Sequence, residues 1–203
     1  SIDINTKCHK GWTAFQILCY EGHSNMVKIF MENAAALSID LNTKSNDGWT
    51  AFQIACFKGH SSMIKIFMEN ATNLSIDLNT KNSDGWTAFH IASIRGHSDL
   101  IKIFMENAVE LSIDIYQKSI SGWTAFQIIC FEGHLDVFKV FMENANIFSI
   151  DLDTKSNGGW TAFHIACNEG HSDLVELFMK NADNLSIDFN TRDSAGLTGF
   201  HQA

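Results

Sequence analysis

The 203-residue sequence contains no proline, so the starts of its helices must be set by other residues. Positive charge is sparse: 14 Lys and Arg stand against 23 Asp and Glu, a net charge of −9. Binding a phosphate backbone needs clustered cations. Here they are scattered, many at one recurring position (Lys28, Lys65, Lys102, Lys139), so no nucleic-acid partner is expected. Long apolar runs are missing too. The longest uncharged stretch, 119–131, has 13 residues and includes Gly122. A membrane-spanning helix needs about 18–20 apolar residues, so no membrane association is expected. No basic-then-apolar leader opens the sequence, although it begins inside a repeat and leaves open what precedes it in a longer parent. A glycine-rich phosphate loop, a Gly-x-Ser-x-Gly turn and a Cys-x-x-Cys pair are all absent. Nothing specific supports an enzyme, and no cofactor is expected.

What is present is a strict beat. Gly-Trp-Thr-Ala-Phe starts at Gly11, Gly48, Gly85, Gly122 and Gly159, always 37 residues apart, with an eroded copy at Gly196. Ser-Ile-Asp recurs from Ser1 through Ser38, Ser75, Ser112, Ser149 and Ser186, and Gly-His recurs at Gly22, Gly59, Gly96, Gly133 and Gly170. A fixed period of this length marks a solenoid, whose units bury their apolar faces only against neighbours. The expectation is one domain, 1–203, made of units 1–37, 38–74, 75–111, 112–148 and 149–185 with a partial unit 186–203.

In the second unit, Thr50 precedes Ala-Phe-Gln-Ile-Ala and Gln53 follows three residues later, the spacing of a capping box at a helix start. Thr13/Gln16 and Thr124/Gln127 repeat it, while units three and five carry His90 and His164. This helix ends before Gly59, a residue suited to a left-handed cap. Ser61 is expected to cap a second helix running to about Asn70. Alternation at Ile76, Leu78 and Thr80 predicts a short extended segment, with Asn82-Ser-Asp reversing it. Each unit reads as helix, turn, helix and projecting hairpin-like loop.

Cys19, Cys56, Cys130 and Cys167 share one repeated position, and Cys8 stands apart. Helices packed ~8–10 Å apart hold equivalent cysteines too far apart for a disulfide. Unpaired thiols fit a reducing, intracellular compartment. The glycosylation-type triplets at Asn70, Asn73 and Asn184 are read as chance matches.

The run Gly85-Trp-Thr-Ala-Phe-His-Ile-Ala, then Gly96-His97 and Leu100-Ile-Lys-Ile-Phe-Met, resembles the ankyrin repeat, with its Gly-x-Thr-Pro-Leu-His-x-Ala and Gly-His signatures. The resemblance covers the whole chain and implies an all-α ankyrin-repeat solenoid of stacked helix-turn-helix units. Three departures stand out. The period is 37 against the family's 33, the four extra residues falling around 71–76, so that either the second helix is longer or its loop larger. The motif's Pro is Ala in every full unit, and its Leu is always Phe (Phe15, Phe52, Phe89, Phe126, Phe163), implying a core rebuilt around a bulkier side chain.

The nine histidines invite a metal or catalytic reading, but they recur unit by unit, which one active site does not need. The turn histidines are expected to bond neighbouring loops, and the aspartates Asp3, Asp40, Asp77, Asp114, Asp151 and Asp188 to stabilise turns. No metal site is expected. Recognition is sought instead where units differ. The resemblance implies contacts from loop tips (Asn46, Asp47, Ser83, Asp84, Ile120) and from helix-one ends (Lys58, Arg95, Glu132) on a concave face. Tyr20, Phe57, Ile94 and Phe131 would form an apolar stripe there. Such a stripe marks an interaction site unless it folds back onto the longer loops. Trp49, Trp86 and Trp123 form a second candidate row whose invariance points to loop packing. The expected function is a non-enzymatic module that binds a protein or peptide as an adaptor or recognition arm. The alternative is a structural spacer, or a self-stacking segment of a longer array that associates head to tail through uncapped ends.

Overall fold

A computed structural model describes residues 3–203; Ser1 and Ile2, the start of the first Ser-Ile-Asp, lie outside the described residues. The chain runs through paired helices: α1 (Ala14–Glu21) and α2 (Ser24–Glu32), α3 (Ala51–Lys58) and α4 (Ser61–Asn70), α5 (Ala88–Ile94) and α6 (Ser98–Asn107). The series continues with α7 (Ala125–Glu132) and α8 (Leu135–Asn144), α9 (Ala162–Asn168) and α10 (Ser172–Leu185), and closes on the short α11 (Gly199–Gln202). The first helices of successive pairs stack on one another, α1 on α3 on α5 on α7 on α9, and the second helices form a parallel row. No strand occurs among the described residues, where pairing of that kind is limited to a single bridge between Lys118 and Thr124.

Local chemistry sets the helix ends. Thr50 Oγ1 accepts the Gln53 N–H at 3.3 Å while the Thr50 N–H donates to Gln53 Oε1 at 3.0 Å, a complete capping box in place of the missing proline. His90 closes the same box in α5, its Nδ1 accepting from the Thr87 N–H at 3.3 Å. Gly59 ends α3 at φ +75°, and a Cβ there would stand 2.7 Å from the His97 ring. Ser61 does not cap α4. It is already the first helical residue, His60 holds the cap position without a side-chain bond, and the Ser61 N–H turns back to the Gly59 carbonyl.

The four extra residues of each unit form one more turn of the second helix. The Leu74 N–H donates to the Asn70 carbonyl and the Ile76 N–H reaches back to Ala71, a closure that places Ser75 at φ +51°. In the fifth unit this turn is continuous with α10. The predicted extended segment is a turn instead. Asp77 Oδ1 accepts the Asn79 N–H at 2.9 Å, bending the chain, although Ile76 and Leu78 still face the core and Asp77 water. The loop tip is hairpin-like: the Ser45 N–H donates to the Trp49 carbonyl and the Gly48 N–H to Ser45.

The core is a zigzag of phenylalanine rings. Phe52 meets Phe67 and Phe104 with centroids 5.3 and 5.8 Å apart, Phe89 meets Phe104 and Phe141, Phe126 meets Phe141 and Phe178, and Phe163 meets Phe178. From Phe67 to Phe178 each second-helix ring thus sits between two first-helix rings, in edge-to-face, tilted and stacked pairs that contribute about 0.5–1.5 kcal/mol each beyond burial. Phenylalanine in place of the motif's leucine makes that continuity possible. All five cysteines are free, and burial pushes the thiols of Cys19, Cys56 and Cys130 well up and that of Cys167 to about 11.

Candidate functional site: the aromatic face

Tyr20, Phe57, Ile94 and Phe131 occupy the last turns of α1, α3, α5 and α7, each directed towards the loop tip of its own unit. Three of them meet the tryptophan of that tip edge to face: Trp12 with Tyr20 at 5.3 Å, Trp49 with Phe57 at 5.6 Å, and Trp123 with Phe131 at 5.4 Å. The stripe and the tryptophan row are therefore one surface. The stripe packs on the tip tryptophans and not on the residues that lengthen the unit; Phe57 and Ile94 are half-buried, while Tyr20 and Phe131 keep 36% and 44% of their surface exposed.

Two apolar grooves open in this surface. One, about 280 Å³, lies between Trp12, Tyr20, Trp49 and Phe57, with Asp47 at its rim; the other, about 320 Å³, lies between Trp86, Ile94, Trp123 and Phe131, with Glu132 at its rim. Asn46, Asp47, Ser83 and Asp84 are exposed at the tips, which bond to one another along the row: the Ser83 N–H donates to the Asp47 carbonyl at 3.3 Å and the Ile120 N–H to Asp84. Ile120, 71% exposed, is not part of either groove wall; its side chain lies beside Gly85 of the preceding tip.

The histidines hold this surface in register. Nε2 of His60, His97, His134 and His171 donates to the carbonyls of Tyr20, Phe57, Ile94 and Phe131, one unit back, at 2.9–3.2 Å. Each stripe residue is thereby pinned at its own carbonyl. His90 bonds Trp123 O through Nε2 at 3.3 Å and presents Nδ1 to the Thr87 hydroxyl; burial lowers its pKa to about 4, outweighing the opposite pull of the bond to the Trp123 carbonyl.

Three further ladders escaped the sequence reading. Gln53 Nε2 donates to Thr80 O and Trp86 O of the next unit, and Gln16 and Gln127 do likewise. Lys7, Lys44, Lys81, Lys118 and Lys155 each donate to the backbone carbonyl 37 residues on. Asn5, Asn42 and Asn79 donate Nδ2 to the Ser38, Ser75 and Ser112 carbonyls. The signal was available: each ladder uses one residue type at one place in the repeat. A recurring polar residue reads as solvated until its partner's position is known.

A family model for ankyrin repeats (three copies) matches residues 1–77, 36–118, 72–151 and 108–193. The chain belongs to the ankyrin-repeat family. Ankyrin repeats are in general protein–protein interaction modules and typically carry no catalysis. No curated protein compared with this ankyrin-repeat chain matches it. No helix among its described residues is long and apolar enough to cross a membrane.

Proposed function

We propose that this ankyrin-repeat chain is a non-enzymatic recognition module, an adaptor or the binding arm of a larger protein, that grips a protein or peptide along the aromatic face. Units 1–37 to 149–185 and the partial unit 186–203 act together as one domain. The observation that carries the reading is the coincidence of stripe, tryptophan row and grooves on one pinned surface. Apolar surface of this kind is where binding energy concentrates. A scaffold already held by repeated ladders loses little ordering entropy on association. The site consists of Tyr20, Phe57, Ile94, Phe131, Trp49, Trp86 and Trp123, bordered by Lys58, Arg95, Glu132 and the exposed tips. Six of the nine histidines (His60, His90, His97, His134, His164 and His171) are engaged by backbone carbonyls, which supports a role outside catalysis. Scattered basic residues and a net charge of −9 argue for protein over nucleic acid as partner.

The test is the double variant Phe57→Ala/Phe131→Ala. It should lose peptide binding by two orders of magnitude or so while keeping its helical circular dichroism. Unchanged affinity removes the aromatic face from the account.

A further inference from the structure

Lys58 and Arg95 occupy equivalent places at the ends of α3 and α5, and both rest their charge on the stripe. Lys58 Nζ lies 4.3 Å from the centroid of the Tyr20 ring, and the Arg95 guanidinium carbon 4.7 Å from that of Phe57. Both residues are exposed, and neither is in a salt bridge among the described residues, where the pair found joins Lys180 to Glu176. Seated on a ring, each cation is held in place yet keeps donors free. The equivalent positions in the first, fourth and fifth units are acidic: Glu21, Glu132 and Glu169. The helix-end row of this acidic chain is thus positive in its middle and negative at both ends, while the facing tips of the same two middle units carry the exposed carboxylates Asp47 and Asp84.

The grooves frame the two ring-seated cations. Lys58 borders the groove at Tyr20 and Phe57, while Arg95 covers Phe57 on the side of the groove at Ile94 and Phe131. Building on the reading that this face binds, we propose that its partner is an extended acidic peptide segment with two apolar anchors. One anchor fills each groove, and Asp or Glu side chains between them bond to Lys58 and Arg95. The grooves are two units apart, about 16–20 Å at the usual 8–10 Å between packed helices. An extended chain covers about 3.3–3.6 Å per residue, which places the anchors roughly five or six residues apart. Glu21 and Glu132 repel acidic residues placed beyond the anchors and so fix the register. A neutral or basic segment in the same place leaves two desolvated cations without partners.

The experiment is selection of a displayed random dodecapeptide library on the full chain, followed by affinity measurements on the enriched peptides. The expected pool carries paired apolar residues at that spacing with Asp or Glu between them, and its affinity falls with added salt. Lys58→Glu/Arg95→Glu, which alters only exposed side chains, should weaken these peptides by about tenfold or more. An empty selection, or a pool without acidic enrichment, overturns the proposal. If Phe57→Ala/Phe131→Ala abolishes binding while the charge reversal leaves it unchanged, the acidic partner is wrong and the binding face stands. If neither variant weakens binding, both fall.

Discussion

His97 Nε2 donates to the Phe57 carbonyl at 3.2 Å, across 40 residues of sequence, tying the turn of one unit to the helix end that carries the aromatic stripe of the unit before. This bond does two jobs. It satisfies a carbonyl at a helix terminus, where no intrahelical donor remains, and it fixes the backbone from which Phe57 projects.

His97→Ala should therefore cost about 1 kcal/mol of stability and also weaken peptide binding, although His97 lies outside both groove walls. Urea denaturation and a titration with a selected peptide check the two halves. Loss of stability with full affinity would show that the pin is not needed for recognition.

The pH dependence should centre on His90. Its folded-state pKa, lowered to about 4, lies below the ordinary value of 6.5 for histidine. Between those values the unfolded chain binds a proton that the folded chain refuses. The associated stability is complete above about pH 6.5 and is lost as pH falls towards 4, by an amount on the order of 2–3 kcal/mol. Glutamine occupies the equivalent positions 16, 53 and 127 and makes the same cap. His90→Gln should flatten that part of the curve while leaving stability at pH 7.5 nearly unchanged, as read from urea midpoints across the range.

Asp153 breaks the asparagine ladder. Its Oδ2 accepts the Asp188 N–H at 2.9 Å, but Oδ1 is buried with no partner, where an asparagine would donate to a serine carbonyl. Burial raises its pKa, and the neighbouring Asp151 and Asp188 carboxylates add to that. Because the folded pKa is raised, protonation favours the fold, and that contribution disappears as pH rises through the folded value. Asp153→Asn should then stabilise by about 1 kcal/mol at neutral pH, with the gain shrinking in acid as Asp153 takes up its proton. Thermal melts of both proteins at two pH values decide it.

Ser75 sits at φ +51°, a conformation costly for any residue with a Cβ, and is exposed. Ser75→Gly should raise stability by up to about 1 kcal/mol, a few degrees of melting temperature for a chain this size. A lower melting temperature would mean that the serine makes a contribution beyond its backbone shape.

Much of this architecture was legible in the sequence, because the repeat states the same local chemistry five times. Thr50 with Gln53 spelled the helix start, Gly59 its end, and Phe52 the rebuilt core. The tip positions and the stripe came from the resemblance to the ankyrin repeat, carried from unit to unit by phase. The misreadings share a cause. Ser61 looked like a cap because serine usually serves there, but the chain leaves Gly59 so tightly that Ser61 is already inside the helix. Ile76 and Leu78 alternate as in a strand, yet the Asp77 carboxylate closes a turn between two inward-facing residues. Phe57 and Trp49 lie eight residues apart, and their edge-to-face contact depends on the direction of the helix. Lys58 over Tyr20 depends on how two units stack. No periodicity encodes either contact.

The most direct test is hydroxyl-radical footprinting of the chain with and without a selected peptide, read by mass spectrometry at each side chain. Protection is predicted at Tyr20, Trp49, Phe57, Trp123 and Phe131, with none at Val109 and Ile147, which are 84% and 75% exposed at the far ends of the second helices. Protection of Val109 and Ile147 with the aromatic row unchanged would contradict the account.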